Sequence, residues 1–254
     1  MAEIRNKKGQ VVIWVIIAMA LVGSMILFFT LERKPTILNG QDFSPESFIQ
    51  GCSEKAVNEA VDLMLPQGGF VSPNNTILFN NINVAYLCEN QGFYKSCINQ
   101  HPALINELRS EIKKYIMPKI ENCFSNLKAD VERKNSDITL GNMEIDVNLG
   151  PNRVILNIDR KVTISKDSET KTFENFEINV INSIYDIANV AIEIASQEAK
   201  YCYFEYVGYS VLHTRFDIRK TSDSNSNKIY TIKDKYSDKE MNIAIRSCAI
   251  PPGI

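Results

Sequence analysis

The chain has 254 residues, with 28 Lys and Arg against 30 Asp and Glu, a formal net charge of −2 and 44% hydrophobic residues. This is ordinary globular usage, which excludes a disordered tail, a collagen-like fibre and a polytopic membrane protein. The apolar residues are unevenly spread, however: residues 11–31 carry no ionisable side chain, and all six cysteines lie beyond them.

The uncharged block runs from Val11-Val12-Ile13-Trp14 to Phe28-Phe29-Thr30-Leu31. As a helix its 21 residues span roughly 31 Å, the thickness of a bilayer's hydrocarbon core. A continuous apolar run with no polar face argues against a buried core helix. A cleaved secretory signal would have a shorter apolar region, of about 7 to 15 residues, ending in small side chains. The reading is an uncleaved transmembrane anchor at 11–31 behind a short cytoplasmic tail, 1–10. Arg5, Lys7 and Lys8 precede the span, while Arg33 and Lys34 follow it, a margin that places the N-terminus inside. Six cysteines in the distal segment suit an oxidising compartment, and Asn74-Asn75-Thr76 is an N-glycosylation pattern at Asn74. The expected location is therefore the cell membrane, with the C-terminal domain extracytoplasmic.

Lys7-Lys8-Gly9-Gln10, followed directly by the apolar helix, resembles an archaeal class III signal sequence of pilin-like proteins. The resemblance implies cleavage between Gly9 and Gln10 by a prepilin peptidase and packing of the exposed helix into a filament core. Many such proteins carry a Glu five residues after the cut, where this chain has Trp14. A basic stop ahead of a membrane helix accounts for the same residues, so both readings stand.

Residues 32–46, with Pro35, Gly40 and Pro45, read as a linker. The spacing then predicts an extracytoplasmic domain over 47–254, with a helical part at 47–130 and a sheet-rich part at 140–254. Ser44 or Ser47 can cap a first helix bearing Phe48, Ile49, Cys52, Ala56, Ala60, Leu63 and Met64, which stops before Pro66. Residues 66–101 alternate short apolar runs with turn signals. Pro102 opens a second helix with a stripe from Leu104 to Phe124 and a kink expected at Pro118.

From Asn142 the period becomes two. Met143, Ile145, Val147 and Leu149, a turn at Gly150-Pro151-Asn152, then Val154, Leu156 and Ile158 predict a hairpin. Val162, Ile164 and Phe173 extend it into a three-stranded meander. A third helix is expected from Ile181 to Ala199, and three further strands at 206–219, 228–233 and 241–247. The fold class is α+β: about three helices packed on antiparallel sheet of about six strands, stapled by disulfides.

An early Cys52, Leu65-Pro66-Gln67-Gly68-Gly69-Phe70, Tyr115-Ile116 ahead of Cys123, the hairpin around Arg153–Ile164 and a late strand near Met241–Arg246 also resemble uncharacterised membrane-anchored surface proteins of small-genome archaea. That resemblance implies a similar architecture over most of 48–247. It carries no activity, because none is established for the group.

Six cysteines allow 15 pairings. Those favoured are Cys88–Cys97 around a small loop, Cys52–Cys123 between the first two helices, and Cys202–Cys248 from the third helix to the last strand. With no Cys-x-x-Cys and two distant histidines, metal binding is not expected, and no cofactor is implied. Gly208-Tyr209-Ser210-Val211-Leu212 lacks the final glycine of a nucleophile elbow. His101 reads as a helix-start or loop residue and His213 as a strand residue. Residues 35–254 hold 23 basic against 28 acidic side chains, which disfavours nucleic acid as a partner. The expected partners are the bilayer, through 11–31, and another envelope or surface protein. The best candidate for recognition is 66–100, where Phe70, Tyr86, Phe93 and Tyr94 place aromatic anchors on a disulfide-held segment; packing of these rings into a core is the competing reading. The leading function is a membrane-anchored binding or envelope-structural module without identifiable catalysis. The alternatives are a pilin-like subunit processed after Gly9 and an extracytoplasmic enzyme with a non-standard site.

Overall fold

The computed structural model describes residues 44–250, together with Met19 and Leu21. The rest of the 11–31 span, the Gly9–Gln10 junction and the linker up to residue 43 lie outside the described residues. Among the described residues no helix is long and apolar enough to cross a membrane.

Helix α1 (Pro45–Met64) begins two residues inside the expected linker, where Ser44 Oγ accepts from the Ser47 amide (3.4 Å) and Pro45 fills the first turn. Its buried side is Ile49, Ala56, Val57, Ala60, Val61 and Met64, whereas Leu63 is 40% exposed. Helix α2 (Leu104–Arg133) continues through Pro118 and buries Leu104, Leu108, Ile112, Ile116, Ile120, Phe124, Leu127 and Val131, a stripe advancing by four residues at most steps. Cys52 bonds Cys123 (Cα–Cα 6.2 Å) and Lys119 Nζ meets Glu59 Oε2 at 2.8 Å. These pairs run in opposite chain order, so α1 and α2 are antiparallel.

Two sheets complete the α+β fold. The four-stranded sheet is built on β5 (Arg153–Lys166), which pairs along its length with β4 (Asp137–Gly150). On its other edge lie both β6 (Glu169–Phe173) and β7 (Phe176–Ile181). The expected three-strand meander is thus a four-strand sheet: Val162 and Ile164 continue β5, and the chain after it forms two strands, β6 and β7, along the same edge. Within the layer facing α2, Arg160 is 7% exposed; it makes paired bonds to Glu121 (2.8 and 3.1 Å) and lies 4.7 Å from the Phe124 ring.

The six-stranded sheet draws on both ends of the domain. Its path is β1 (Thr76–Phe79), β2 (Ile82–Glu89), β10 (Glu240–Arg246), β9 (Lys228–Asp234) and β8 (Phe216–Ser222), with β3 (Ile98–Asn99) also on β2. The β2–β10 pairing is parallel, which corrects the expectation of purely antiparallel pairing. Residues 206–212, expected as strand, form helix α4 (Tyr206–Leu212). Glu205 caps it by accepting from the Gly208 amide (3.2 Å), and tertiary contacts hold it. Tyr209 packs on Phe204 (5.3 Å) and Ser210 Oγ accepts from the Ile218 amide (3.2 Å), which overrides the local strand propensity of its Tyr and Val residues.

Helix α3 (Ile184–Tyr201) touches strands of both sheets and is held at each end by buried charge. Ile181, expected to open it, ends β7 and is 90% exposed. At its C-terminal end Glu198, fully buried, accepts from Lys228 Nζ (2.6 Å) and Tyr230 OH (2.5 Å). Burial, then this bond, pushes the Tyr230 phenol far above its ordinary value. At the other end Asp234 takes two bonds from Arg215 (3.0 and 2.8 Å), with Asp186 3.5 Å from the same guanidinium. Burial works to raise the Asp234 pKa, but bonds from Arg215, the Tyr236 amide and Ser237 outweigh it and hold it at about 2. The remaining disulfides are Cys88–Cys97 and Cys202–Cys248, so all three favoured pairings are present.

Two tests follow. Because the folded Asp234 pKa is depressed, its stabilisation is fully present above about pH 4 and is lost as pH falls towards 2, about 2 kcal/mol in all. Urea unfolding between pH 5 and 2 should show this loss, and Asp234→Asn should be less stable at pH 7 with a shallower acid dependence; an unchanged slope would contradict the assignment. In the chain-entropy account, removing Cys52–Cys123, whose cysteines are 71 residues apart, costs about 4 kcal/mol, against about 3 for Cys88–Cys97, nine apart. Denaturation of paired Cys→Ser variants checks that order.

Candidate functional site

The segment 66–101 turns once before it reaches the sheet and again within it. Gly68 and Gly69 have φ of +85° and +97°, and a Cβ at Gly68 would come within 2.9 Å of Ala85 Cβ. Only glycine suits this corner, which delivers Phe70 to the start of α2. Asn80 and Asn81, both with positive φ, make the two-residue turn between β1 and β2. Two clefts result, one on each side of a hydrogen bond from Asn75 Nδ2 to Glu89 Oε2 (2.6 Å).

The first cleft encloses about 370 Å³ between Phe70, Ser72, Asn74, Gln100, His101 and Glu111. His101 Nδ1 is 2.5 Å from Glu107 Oε2, and the Phe70 ring centre is 4.6 Å from the imidazole. The carboxylate favours the tautomer with its proton on Nδ1, leaving Nε2 as the basic nitrogen. Val71 N donates to Glu111 Oε2 (3.1 Å), and His101 N to Asn99 Oδ1 (2.9 Å), so both walls are tied down. Among the described residues no hydroxyl or thiol hydrogen-bonds to the imidazole. The cleft therefore holds an oriented base beside an aromatic ring, without a positioned nucleophile.

The second cleft, about 260 Å³, is lined by Tyr86, Glu89, Phe93, Asn225, Asn227 and Arg246. Tyr86 OH donates to Asn227 Oδ1 (2.9 Å), whose amide in turn donates to Asp223 (2.7 Å). Burial, and then the carboxylates of Glu89 and Asp223, push the Tyr86 phenol up to about 12, so it stays a neutral donor at physiological pH. The loop 90–95 is pinned to the end of β10: Asn90 N donates to Arg246 O (2.8 Å), Tyr94 N to Ala249 O (2.9 Å) and Cys248 N to Lys95 O (2.8 Å).

The four nominated aromatics thus separate. Phe70 belongs to the first cleft and Tyr86 and Phe93 to the second, while Tyr94 lines neither and is 63% exposed. Core packing accounts for part of Tyr86, which is 7% exposed within a cluster with Val84, Ile229 and Ala244. Asn74 is exposed on the rim of the first cleft. His213 caps α4 with its ring 4.2 Å from that of Tyr209, instead of lying in a strand. Glu107, Asn227 and Arg246 were not nominated; the six-residue spacing from His101 to Glu107 was the one local signal. A third, open groove of about 490 Å³ crosses the four-stranded sheet past Glu144, Asp146, Asp159 and Glu177. Among the described residues no three His, Cys, Asp or Glu side chains are arranged to hold a metal ion. No protein-family model, curated protein or solved structure matches the chain.

Replacing Tyr86 by Phe leaves the buried Asn227 carbonyl without its donor and should cost about 1–3 kcal/mol in denaturant unfolding. A change within about 0.5 kcal/mol would place that bond in contact with water.

Proposed function

We propose that the chain is a single-pass, N-in membrane-anchored extracytoplasmic protein whose α+β domain is a binding module, with 66–101 as its recognition face. The observation that carries this reading is the convergence of preformed aromatic and polar walls on one short segment. Phe70 stands on one side of the Asn75–Glu89 contact, Tyr86 and Phe93 on the other, and Cys88–Cys97 holds the segment between them. Rigid anchors lose little entropy on binding. The address is supported by the uncharged 11–31 run and by six cysteines that all form disulfides. The likeness to surface proteins of small-genome archaea agrees with it. The partner we infer is another component of the envelope.

One observation favours a second reading: the His101–Glu107 pair is the oriented base that an extracytoplasmic enzyme would need. A pilin-like subunit, cut after Gly9, rests on Lys7-Lys8-Gly9-Gln10 alone.

Lysine-reactive crosslinking in native membranes, read by mass spectrometry, tests the recognition face. Exposed Lys95 should join to another envelope component, while Lys166 and Lys171, at the β5–β6 tip, should not. Crosslinks confined to the β5–β6 tip would contradict the reading. The intact mass of the same purified protein should be that of the full chain; loss of residues 1–9 would favour the filament subunit.

A further inference from the structure

The lining of the second cleft selects a ligand class. Arg246 brings five N–H donors to it; among the described residues its side chain makes no hydrogen bond or ion pair, but lies 5.9 Å from the Phe93 ring and close enough for its charge to act on Asp223 and Tyr86. Glu89 faces the same space with Oε2 engaged by Asn75 and, among the described residues, no hydrogen bond to Oε1. Among the described residues the Asn225 side chain likewise makes no hydrogen bond, and Tyr86 OH, having donated to Asn227, keeps lone pairs to accept with.

A simple anion on Arg246 would meet the Glu89 carboxylate, and a simple cation on Glu89 would meet the guanidinium. A purely apolar group would strip water from both without replacing its hydrogen bonds, which is costly. A compact neutral ring carrying neighbouring hydroxyls satisfies all of them. Each hydroxyl both donates and accepts, so adjacent pairs match the two-pronged guanidinium of Arg246 and amide of Asn225, and one can donate to Glu89 Oε1. The C–H face of such a ring has an apolar surface to rest on in Phe93, which is 44% exposed. The cleft volume, about 260 Å³, falls below the roughly 300–1,000 Å³ of drug-sized pockets, and leaves room for one ring.

We propose that this cleft is a carbohydrate subsite that takes one neutral pyranose ring, as a free sugar or as the end of a glycan. The inference rests on the recognition-face reading and names its ligand class. The site is built before any ligand arrives, because the 90–95 loop is fastened by Cys88–Cys97 and by its three backbone bonds to residues 246–249.

The test uses the full-length chain in a detergent without a sugar headgroup. Methyl glycosides of glucose, galactose, mannose and N-acetylglucosamine are titrated by saturation-transfer NMR, and the same protein is applied to a printed glycan array. At least one glycoside should bind with a Kd on the order of 1 mM. Array glycans ending in that sugar should be retained if glycans are the source; retention of none, with free glycoside still bound, assigns the site to free sugars. Arg246→Ala and Phe93→Ala should each weaken binding about tenfold or more, and Tyr94→Ala should leave it unchanged. Neither test substitution removes a structural bond, since Asn90 bonds the Arg246 carbonyl and Phe93 is half-exposed, and an unchanged melting temperature checks this. The proposal is overturned if no glycoside shows transfer, if binding survives both substitutions, or if sodium acetate displaces the sugar as a competing anion. Sugar binding lost while Lys95 crosslinks persist would remove this inference alone; the loss of both would remove the recognition face.

Discussion

The parallel pairing of β2 with β10 is the contact on which the rest of the domain depends. It joins Tyr86 to Ala244 and Glu89 to Arg246, so a strand near the start of the domain lies beside one near its end. β10 is an inner strand with β9 on its other side, and Met241, Ile243, Ala244 and Ile245 are fully buried. Closing so long a loop is entropically costly, and the return is burial of the sheet face beneath α3. Without this pairing the hairpin β1–β2 would keep few long-range hydrogen bonds, and two strands alone are marginal in water.

Both clefts descend from that contact. The loop 90–95 leaves β2 and is tied straight to the residues that follow β10, which sets Phe93 beside Arg246. Tyr86 reaches Asn227, 141 residues away and next to the start of β9, because β10 alone separates β9 from β2. On the other side Asn242 Nδ2 donates to Pro66 O (3.3 Å), which links β10 to the turn that presents Phe70. The buried charges extend the same logic to α3: Glu198 with Lys228 and Tyr230 at one end, and Asp186 with the Arg215 that holds Asp234 at the other, fasten the two ends of the helix to opposite ends of β9. Burying such groups stabilises only when each is fully bonded, and here each carboxylate accepts at least two hydrogen bonds.

What was legible in the amino-acid sequence follows the range of the interactions involved. The stripe from Leu104 to Phe124 and the alternation from Met143 to Ile158 announce α2 and the β4–β5 hairpin, because periodicity is local. The cysteine pairings were legible too, from where the cysteines fall on those elements. Helix α4 reads as strand from its sequence, since Tyr206, Val207, Tyr209 and Val211 have strand propensity, and the contacts that make it helical, Tyr209 on Phe204 and Ser210 to the Ile218 amide, are tertiary. The Asn80-Asn81 turn was a readable hairpin signal, whereas the β2–β10 register has no local signature. For the same reason Phe70, Tyr86 and Phe93 could be nominated from one segment, but Arg246 and Asn227 could not.

Residue-resolved hydrogen exchange across a urea series tests this dependence most directly. If the parallel pairing holds the domain together, the inner amides of β2 and β10 exchange only through global unfolding and lose protection at the same urea concentration. Early loss of protection in β2, with the β9–β10 hairpin still protected, would contradict it.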